Sequence, residues 1–271
     1  MFKKLINEAI FEYELETYSP LLIQGNENGY ISPMSVDTSY IKTYKDGLLI
    51  PYIPGSSLKG VFRSYSESIL EGACDIVGKN RSYKENGENK LCLGKDNYDK
   101  RYKFMTGAER YEKSCLVCKL FGSDVLRSRV SFSNAYPVQP CKIETAGMTA
   151  IDRVKGGAKA GALRDIEYIG YGIFQGKIGL KNYAPYQLKL LVNNLQALEM
   201  GEIRLGSYTS KGFGELGVKS LKLTLRDYGH LESEQLDKPF YCEKIIEGMD
   251  EIAVKLENIT FKDVKIDGKA L

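Results

Sequence analysis

The chain has 271 residues, 43% of them hydrophobic and 27% charged, which suits a folded soluble protein and excludes wholesale disorder. With 38 Lys+Arg against 35 Asp+Glu the net charge is only +3, so any basic surface must be local rather than global. One histidine, His230, argues against triads, histidine-paired nucleases and histidine-rich metal sites, while six cysteines remain to be explained.

At about 150 residues per domain, this length allows one large domain with an insertion or two small domains. The opening MFKKLINEAIFEYELETY sets glutamates where a signal peptide needs an apolar core. No stretch is apolar for long enough to span a bilayer. A cytoplasmic location and no membrane partner are therefore expected, and in that compartment disulfides are rare.

Residues 11–17, FEYELET, alternate without a break, with Phe11, Tyr13, Leu15 and Thr17 on one side and Glu12, Glu14 and Glu16 on the other. That period of two predicts a half-buried strand. A long loop rich in Gly, Asn, Ser and Pro follows and carries Asp37, a carboxylate that in isolation reads as a turn or cap residue. After LLIPYIP, the segment GSSLKGVFRSYSESIL places Leu58, Val61, Phe62, Tyr65 and Ile69 on one helical stripe, with Ser56 or Ser57 available as N-cap. Lys59 and Arg63 share another face. Gly60 costs about 1 kcal/mol inside a helix relative to alanine, so its presence predicts close approach of another backbone or of a ligand.

Residues 71–114 are polar and aperiodic and read as an insertion. Strand character resumes at SRVSFSNAYPV and leads into a glycine-dotted arm that includes AIDRVKGGAKAGALRDIEYI. A second helix is predicted in APYQLKLLVNNLQALEMG, with Pro185 in its first turn, a stripe of Leu188, Leu191, Leu195 and Leu198, and Gly201 at its stop. GSYTSKGFGELGVKSLKLTLR then supplies a glycine loop and a strand of Leu221, Leu223 and Leu225. Strand, helix, strands, helix, strand is the order of an α+β, ferredoxin-like sandwich, with the tail from Asp227 as an accessory helical segment.

Four constellations carry chemistry. Glycines around Ser207, Thr209, Ser210, Lys211 and Gly212 expose amides that can cradle phosphate, although a plain glycine hairpin looks similar and no Walker A motif is present. Arg153, Lys155, Lys159 and Arg164 decorate the arm and can neutralise a nucleic-acid backbone; a solvated hairpin is the bland alternative. Cys115 and Cys118 form a C-x-x-C pair that Cys74 and Cys92, or Cys141 in place of one of them, can complete to a tetrahedral structural zinc, the rivals being buried thiols or a redox pair. The fourth is Asp37, to which these residues alone assign no role.

In their order and spacing, PYIPGSSLKGVFRS, CLVCKLFG, AIDRVKGGAKAGALRDIE and GSYTSKGFGELGV resemble the RAMP superfamily of CRISPR effector proteins over roughly residues 10–225. The nearest resemblance is to the RNA-binding backbone subunits of type III (Csm/Cmr-type) complexes. It implies a modified RNA-recognition fold with a core of residues 1–70 and 115–226, a lid at 71–114 that zinc can staple, and a β-hairpin thumb at about 145–172; the C-terminal accessory segment at 227–271 lies outside the resemblance. The resemblance implies a filament along CRISPR guide RNA, with copies of the same chain and other RAMP subunits as partners. Ser56, Ser57, Lys59 and Arg63 would then face guide phosphates, and the loop around Lys211 would line the same groove. Asp37 would cleave single-stranded target RNA with a divalent metal, Mg or Mn, by holding the ion near the scissile phosphate or by orienting the ribose hydroxyl. Thr38 departs from the asparagine common at that place in relatives. The alternative is a non-catalytic structural or capping subunit of the same kind of complex. A guide-processing ribonuclease fits less well, because His230 stands outside every motif.

Overall fold

In the computed structural model the described residues are 4–25, 38–71, 73–74, 82–85, 88–92, 104–228 and 240–262. In chain order the elements are β1 (Asn7–Thr17), β2 (Lys42–Lys45), β3 (Leu48–Pro51), α1 (Gly55–Ile69), β4 (Ser82–Glu85), β5 (Glu88–Leu91), α2 (Gly107–Glu112), α3 (Leu116–Phe121), β6 (Val130–Phe132) and β7 (Tyr136–Pro137). Then follow β8 (Lys142–Ile151), β9 (Ala158–Tyr171), β10 (Ile173–Lys181), α4 (Pro185–Glu199), β11 (Leu216–Asp227), β12 (Cys242–Glu247) and α5 (Met249–Leu256).

The main sheet runs β12-β11-β1-β10-β6, with β7 also on β10, and every neighbouring pair is antiparallel. The alternation seen in FEYELET extends back to Asn7, and β1 buries every second residue along its length. Its inward side chains Ala9, Phe11, Tyr13 and Leu15 sit in the core under α1 and α4. Its outward carboxylates meet cations directly across the strands: Glu12 pairs with Lys177, and Glu8 with Lys181 at 3.5 Å and Arg226 at 3.3 Å. Such solvated pairs contribute little energy each, but they keep the uncovered face wet and so pin the register.

Helix α1 begins one or two residues before the expected cap. Pro54 is the N-cap, without a side-chain hydrogen bond, and Ser56 and Ser57 stand inside the first turn. The capping acceptor comes from a distant residue instead: the Gly55 amide donates to Asn134 Oδ1 at 3.0 Å. The close approach expected at Gly60 is absent among the described residues, since a Cβ there would meet nothing within 4 Å; at Gly55 it would lie 2.5 Å from the Phe132 carbonyl oxygen. Gly55, not Gly60, is the glycine that packing demands.

Helix α4 buries more than the predicted leucine stripe. Tyr186, Gln187, Leu190, Val192, Asn194 and Ala197 are also buried, because α1 and α5 pack against α4 in addition to the sheet. The buried amide of Asn194 is satisfied by Ser66 Oγ at 2.9 Å and the Leu190 carbonyl at 2.7 Å, which stitches α4 to α1. The helix ends as Gly201 predicts: with φ +74, Gly201 donates to the Leu198 carbonyl and Glu202 to that of Ala197, a Schellman pair. Downstream of Asp227 the chain is more than an accessory helix. It adds β12 to the main sheet, with Ile246, Ile252 and Leu256 in the shared core.

Candidate nucleic-acid interface and cysteine centre

Four segments meet at the end of the sheet where β1 stops. Thr17 pairs with Leu216, the first residue of β11, so the glycine loop of residues 206–214 arrives beside that strand end. Phe174 pairs with Pro137 at the same end, so the β8–β9 hairpin leaves and re-enters the sheet there. The chain after β1 fills the space between them: Leu21 exchanges two backbone hydrogen bonds with Ile169, the Ser207 amide donates to the Leu22 carbonyl at 2.7 Å, and that of Gly214 to Pro20 at 2.8 Å. The N-terminus of α1 joins through Ile53, which exchanges two backbone hydrogen bonds with Ala135, and through Gly55.

The hairpin projects from this junction. Arg153, Lys155, Lys159 and Arg164 are all exposed, as are Ile151, Val154 and Leu163, with Val154 at 95%. Its tip is ordered by a carboxylate that motif reading passes over: Asp152 Oδ1 accepts from the amides of Val154 at 2.8 Å and Lys155 at 3.1 Å. The D-R-V-K-G-G sequence carries that signal, since aspartate often closes such turns on the amide two residues on.

In the glycine loop, Gly206 and Gly214 adopt positive φ and approach the Leu22 and Leu205 carbonyls too closely for any Cβ. Ser210, Lys211 and Gly212 are exposed on a short 3₁₀ turn, Thr209–Lys211, reached through Tyr208 at φ +60. Lys211 Nζ lies 4.8 Å above the Tyr208 ring. Phe213 packs edge-on against both Tyr208, at 5.8 Å between centroids, and Tyr168 of the hairpin base, at 5.3 Å. This aromatic bridge joins the loop to the hairpin, and no one-dimensional spacing announces it.

Asp37 lies outside the described residues. Its neighbour Thr38 is tied to the hairpin base, where its amide donates to the Asp165 carbonyl at 3.3 Å and its own carbonyl accepts from Glu167 at 2.9 Å.

The two cations grouped on α1 have different surroundings. Lys59 Nζ donates to Ser128 Oγ at 3.0 Å; burial first, and then the charge of Arg63, lower its pKa. Arg63 donates from Nε to Glu67 at 2.8 Å and from Nη1 to the Gly122 carbonyl at 3.1 Å, with Nη2 3.7 Å from Cys118 Sγ. Burial opposes its charge, but the hydrogen bond and charge of Glu67, together with the nearby Cys118 and Cys74 sulfurs, outweigh it and its pKa stands above the usual arginine value. Arg63, Arg127, Ser123 and Ser128 line an open cleft of about 470 Å³ beside α3.

That cleft borders the cysteine centre. Cys74, Cys92, Cys115 and Cys118 are all buried, with their sulfurs within 4.8 Å of one another. Cys115 is the N-cap of α3, its sulfur accepting from the Cys118 amide at 3.4 Å; Cys92 Sγ accepts from the Cys115 amide at 3.3 Å, and Cys74 and Cys118 sulfurs lie 3.8 Å apart. A tetrahedral zinc at about 2.3 Å from each thiolate sets its sulfurs about 3.8 Å apart, so this donor set fits the ion with little adjustment. Packed this closely, the thiols share their protons unevenly: hydrogen bonds from the other thiols, and from the Cys118 amide, hold Cys115 far below its usual range, while their bonds to Cys115 push Cys74 and Cys118 up. Cys141 is not part of the group; it is half-buried beside Gly172, and burial pushes its pKa up to about 11.

Among the described residues no helix is long and apolar enough to cross a membrane. A search of curated proteins finds no match. The model of the RAMP superfamily matches residues 14–217, a span that contains the end of β1, the cysteine centre, the hairpin and the glycine loop. The chain therefore belongs to the RAMP superfamily of CRISPR-associated proteins, whose members work with RNA and with other subunits in CRISPR complexes.

Proposed function

We propose that this protein is a backbone subunit of a type III effector complex, which holds the guide RNA at the end of the main sheet and cleaves complementary target RNA through Asp37. The observation that carries the reading is the convergence, at that one end, of the exposed hairpin, the glycine loop and the N-terminus of α1. Taken in chain order, β1, α1, β6, β10, α4 and β11 give the strand order 4-1-3-2 of a ferredoxin-like split βαβ unit, which supports the RNA-recognition-type fold.

Each segment has a part in this reading. The α1 N-terminus offers its dipole, Ser56, Ser57 and the Lys59 ammonium to a phosphate. Lys211 and the amides near Ser210 and Gly212 hold another. The hairpin serves as the thumb: Arg153, Lys155, Lys159 and Arg164 run along the backbone, and Val154 at the tip sets an apolar wedge against the bases. None of these contacts reads base identity, as a subunit that accepts any guide requires. Residues 71–114, stapled by zinc through Cys74 and Cys92, serve as the lid.

Asp37 immediately precedes Thr38, which is fastened to the base of this thumb, and in this reading the paired target strand passes beside that base. A divalent ion such as Mg or Mn, held with this carboxylate, would stabilise charge at the scissile phosphate. The decisive experiment is an assembled complex carrying Asp37→Ala. Target cleavage at this subunit's site should vanish while guide RNA stays bound. Unchanged cleavage would refute the role of Asp37, and failure of the wild-type chain and its complex to bind single-stranded RNA at low salt would refute the whole reading.

A further inference from the structure

We propose that Arg63 is a positioning residue of the four-cysteine metal site, where its guanidinium hydrogen-bonds and neutralises the metal-bound thiolates and fastens them to α1. Four thiolates around a divalent zinc leave a net charge of about −2. All four cysteines are buried, and a buried charge is costly unless it is paired and hydrogen-bonded. Two backbone amides, those of Cys115 and Cys118, already point at cluster sulfurs. They are dipoles, and the net charge still needs a cation.

Arg63 answers that need with all three faces of its fork. Nη2 lies 3.7 Å from Cys118 Sγ, Nη1 donates to the carbonyl of Gly122, where α3 ends, and Nε is held at 2.8 Å by Glu67 one turn further along α1. Glu67 is only 11% exposed in its side chain, so the guanidinium is oriented from behind by a partner that is itself fixed. A lysine could not reach sulfur, carbonyl and carboxylate at once, because its ammonium is a point charge without a planar fork. Lys59 makes the contrast. It lies one turn earlier and donates to the neutral hydroxyl of Ser128, so its positive charge remains for an external anion. A phosphate recruited by Arg63 would have to displace thiolate, carbonyl or carboxylate; one recruited by Lys59 displaces a hydroxyl.

The test uses the full chain loaded with zinc or cobalt, the variants Arg63→Gln, Arg63→Lys and Glu67→Gln, and Lys59→Gln for comparison. Competition with a chromophoric chelator should show Arg63→Gln binding zinc about 10- to 100-fold more weakly, with Arg63→Lys and Glu67→Gln in between and Lys59→Gln unchanged. The thiolate-to-cobalt charge-transfer band should move in Arg63→Gln and stay in place in Lys59→Gln. The salt slope for single-stranded RNA should fall by about 0.7 in Lys59→Gln and hold in Arg63→Gln. Unaltered zinc affinity in Arg63→Gln, or a chain that takes up no stoichiometric metal, overturns the assignment, as does a loss of RNA salt slope in Arg63→Gln with the cobalt band unmoved. If Arg63→Gln does not fold, Glu67→Gln decides the matter: wild-type zinc affinity there overturns it. The metal readouts do not depend on target cleavage or RNA binding, so they separate this assignment from the fate of the proposed function.

Discussion

Gly60 and Gly55 make a paired experiment on α1, because the same substitution should act in opposite directions five residues apart. Gly60 is exposed within the helix, and an alanine Cβ there meets nothing within 4 Å. Alanine exceeds glycine by about 0.8–1.0 kcal/mol at such a position, mostly by restricting the unfolded chain. With no clash to offset it, Gly60→Ala should raise Tm by roughly 2–4 °C in a chain of this size. Gly55→Ala instead drives a methyl to 2.5 Å from the Phe132 carbonyl oxygen and 2.8 Å from that of Ser133, both backbone atoms of the strand edge that anchors the helix start. Forcing extra volume into such a contact costs about 1–3 kcal/mol, so Tm should drop by several degrees and the urea midpoint with it. Thermal and urea unfolding of the purified chain give both numbers, and a single-stranded RNA titration on the same samples completes the test. A glycine that costs stability and serves no internal packing is explained if ribose-phosphate lies against it, so Gly60→Ala should weaken RNA binding even as it stabilises the fold. A destabilised Gly60→Ala, or a neutral Gly55→Ala, would refute the packing argument; a stabilised Gly60→Ala with wild-type RNA affinity would refute guide contact on that face.

Two further outcomes follow from the same geometry. Elemental analysis should find zinc in stoichiometric amount in the wild-type chain and none in Cys115→Ser/Cys118→Ser, whose Tm should also fall, because two sulfurs from α3 and two from the polar insertion no longer share a centre. Replacing Arg153, Lys155, Lys159 and Arg164 by glutamine should lower RNA affinity without regard to sequence and flatten its salt dependence by about 0.7 for each phosphate that is no longer neutralised, read by anisotropy across a salt series; an unchanged slope would remove the thumb from the interface.

The order of elements is legible wherever a period meets a boundary signal. FEYELET alternates because only one face of β1 is covered, and Pro185 and Gly201 bracket α4 because fixed φ suits a helix start and positive φ its stop. The stripe of α4 understates its burial because α5 lies 50 residues downstream, beyond any local pattern. The cap of α1 escapes the sequence for a related reason: the Asn134 amide oxygen outcompetes the nearby serines, and such an acceptor, 79 residues away, leaves no trace in the helix's own sequence. At the site, the exposed hairpin cations and the cysteine quartet can be named from residue type, since charge and thiolate chemistry belong to the side chain itself. The aromatic bridge of Tyr168, Tyr208 and Phe213 and the commitment of Arg63 cannot, because both are properties of neighbours.

The position of the cysteine centre follows from what lies on each side of it. Cys74 comes five residues after α1 ends and Cys115 caps α3, while the chain between them is too polar to bury a core of its own. A metal that gathers both ends shortens the effective loop and lets a polar insertion sit firmly without apolar area. Because Arg63 reaches from α1 to this centre and Lys59, one turn earlier on the same face, bonds Ser128, α1 acts as a rigid strut between the cysteine centre and the end of the sheet. Any movement of the staple must then be felt at Ser56 and Ser57, about 10 Å up the helix at 1.5 Å per residue, unless the helix itself bends.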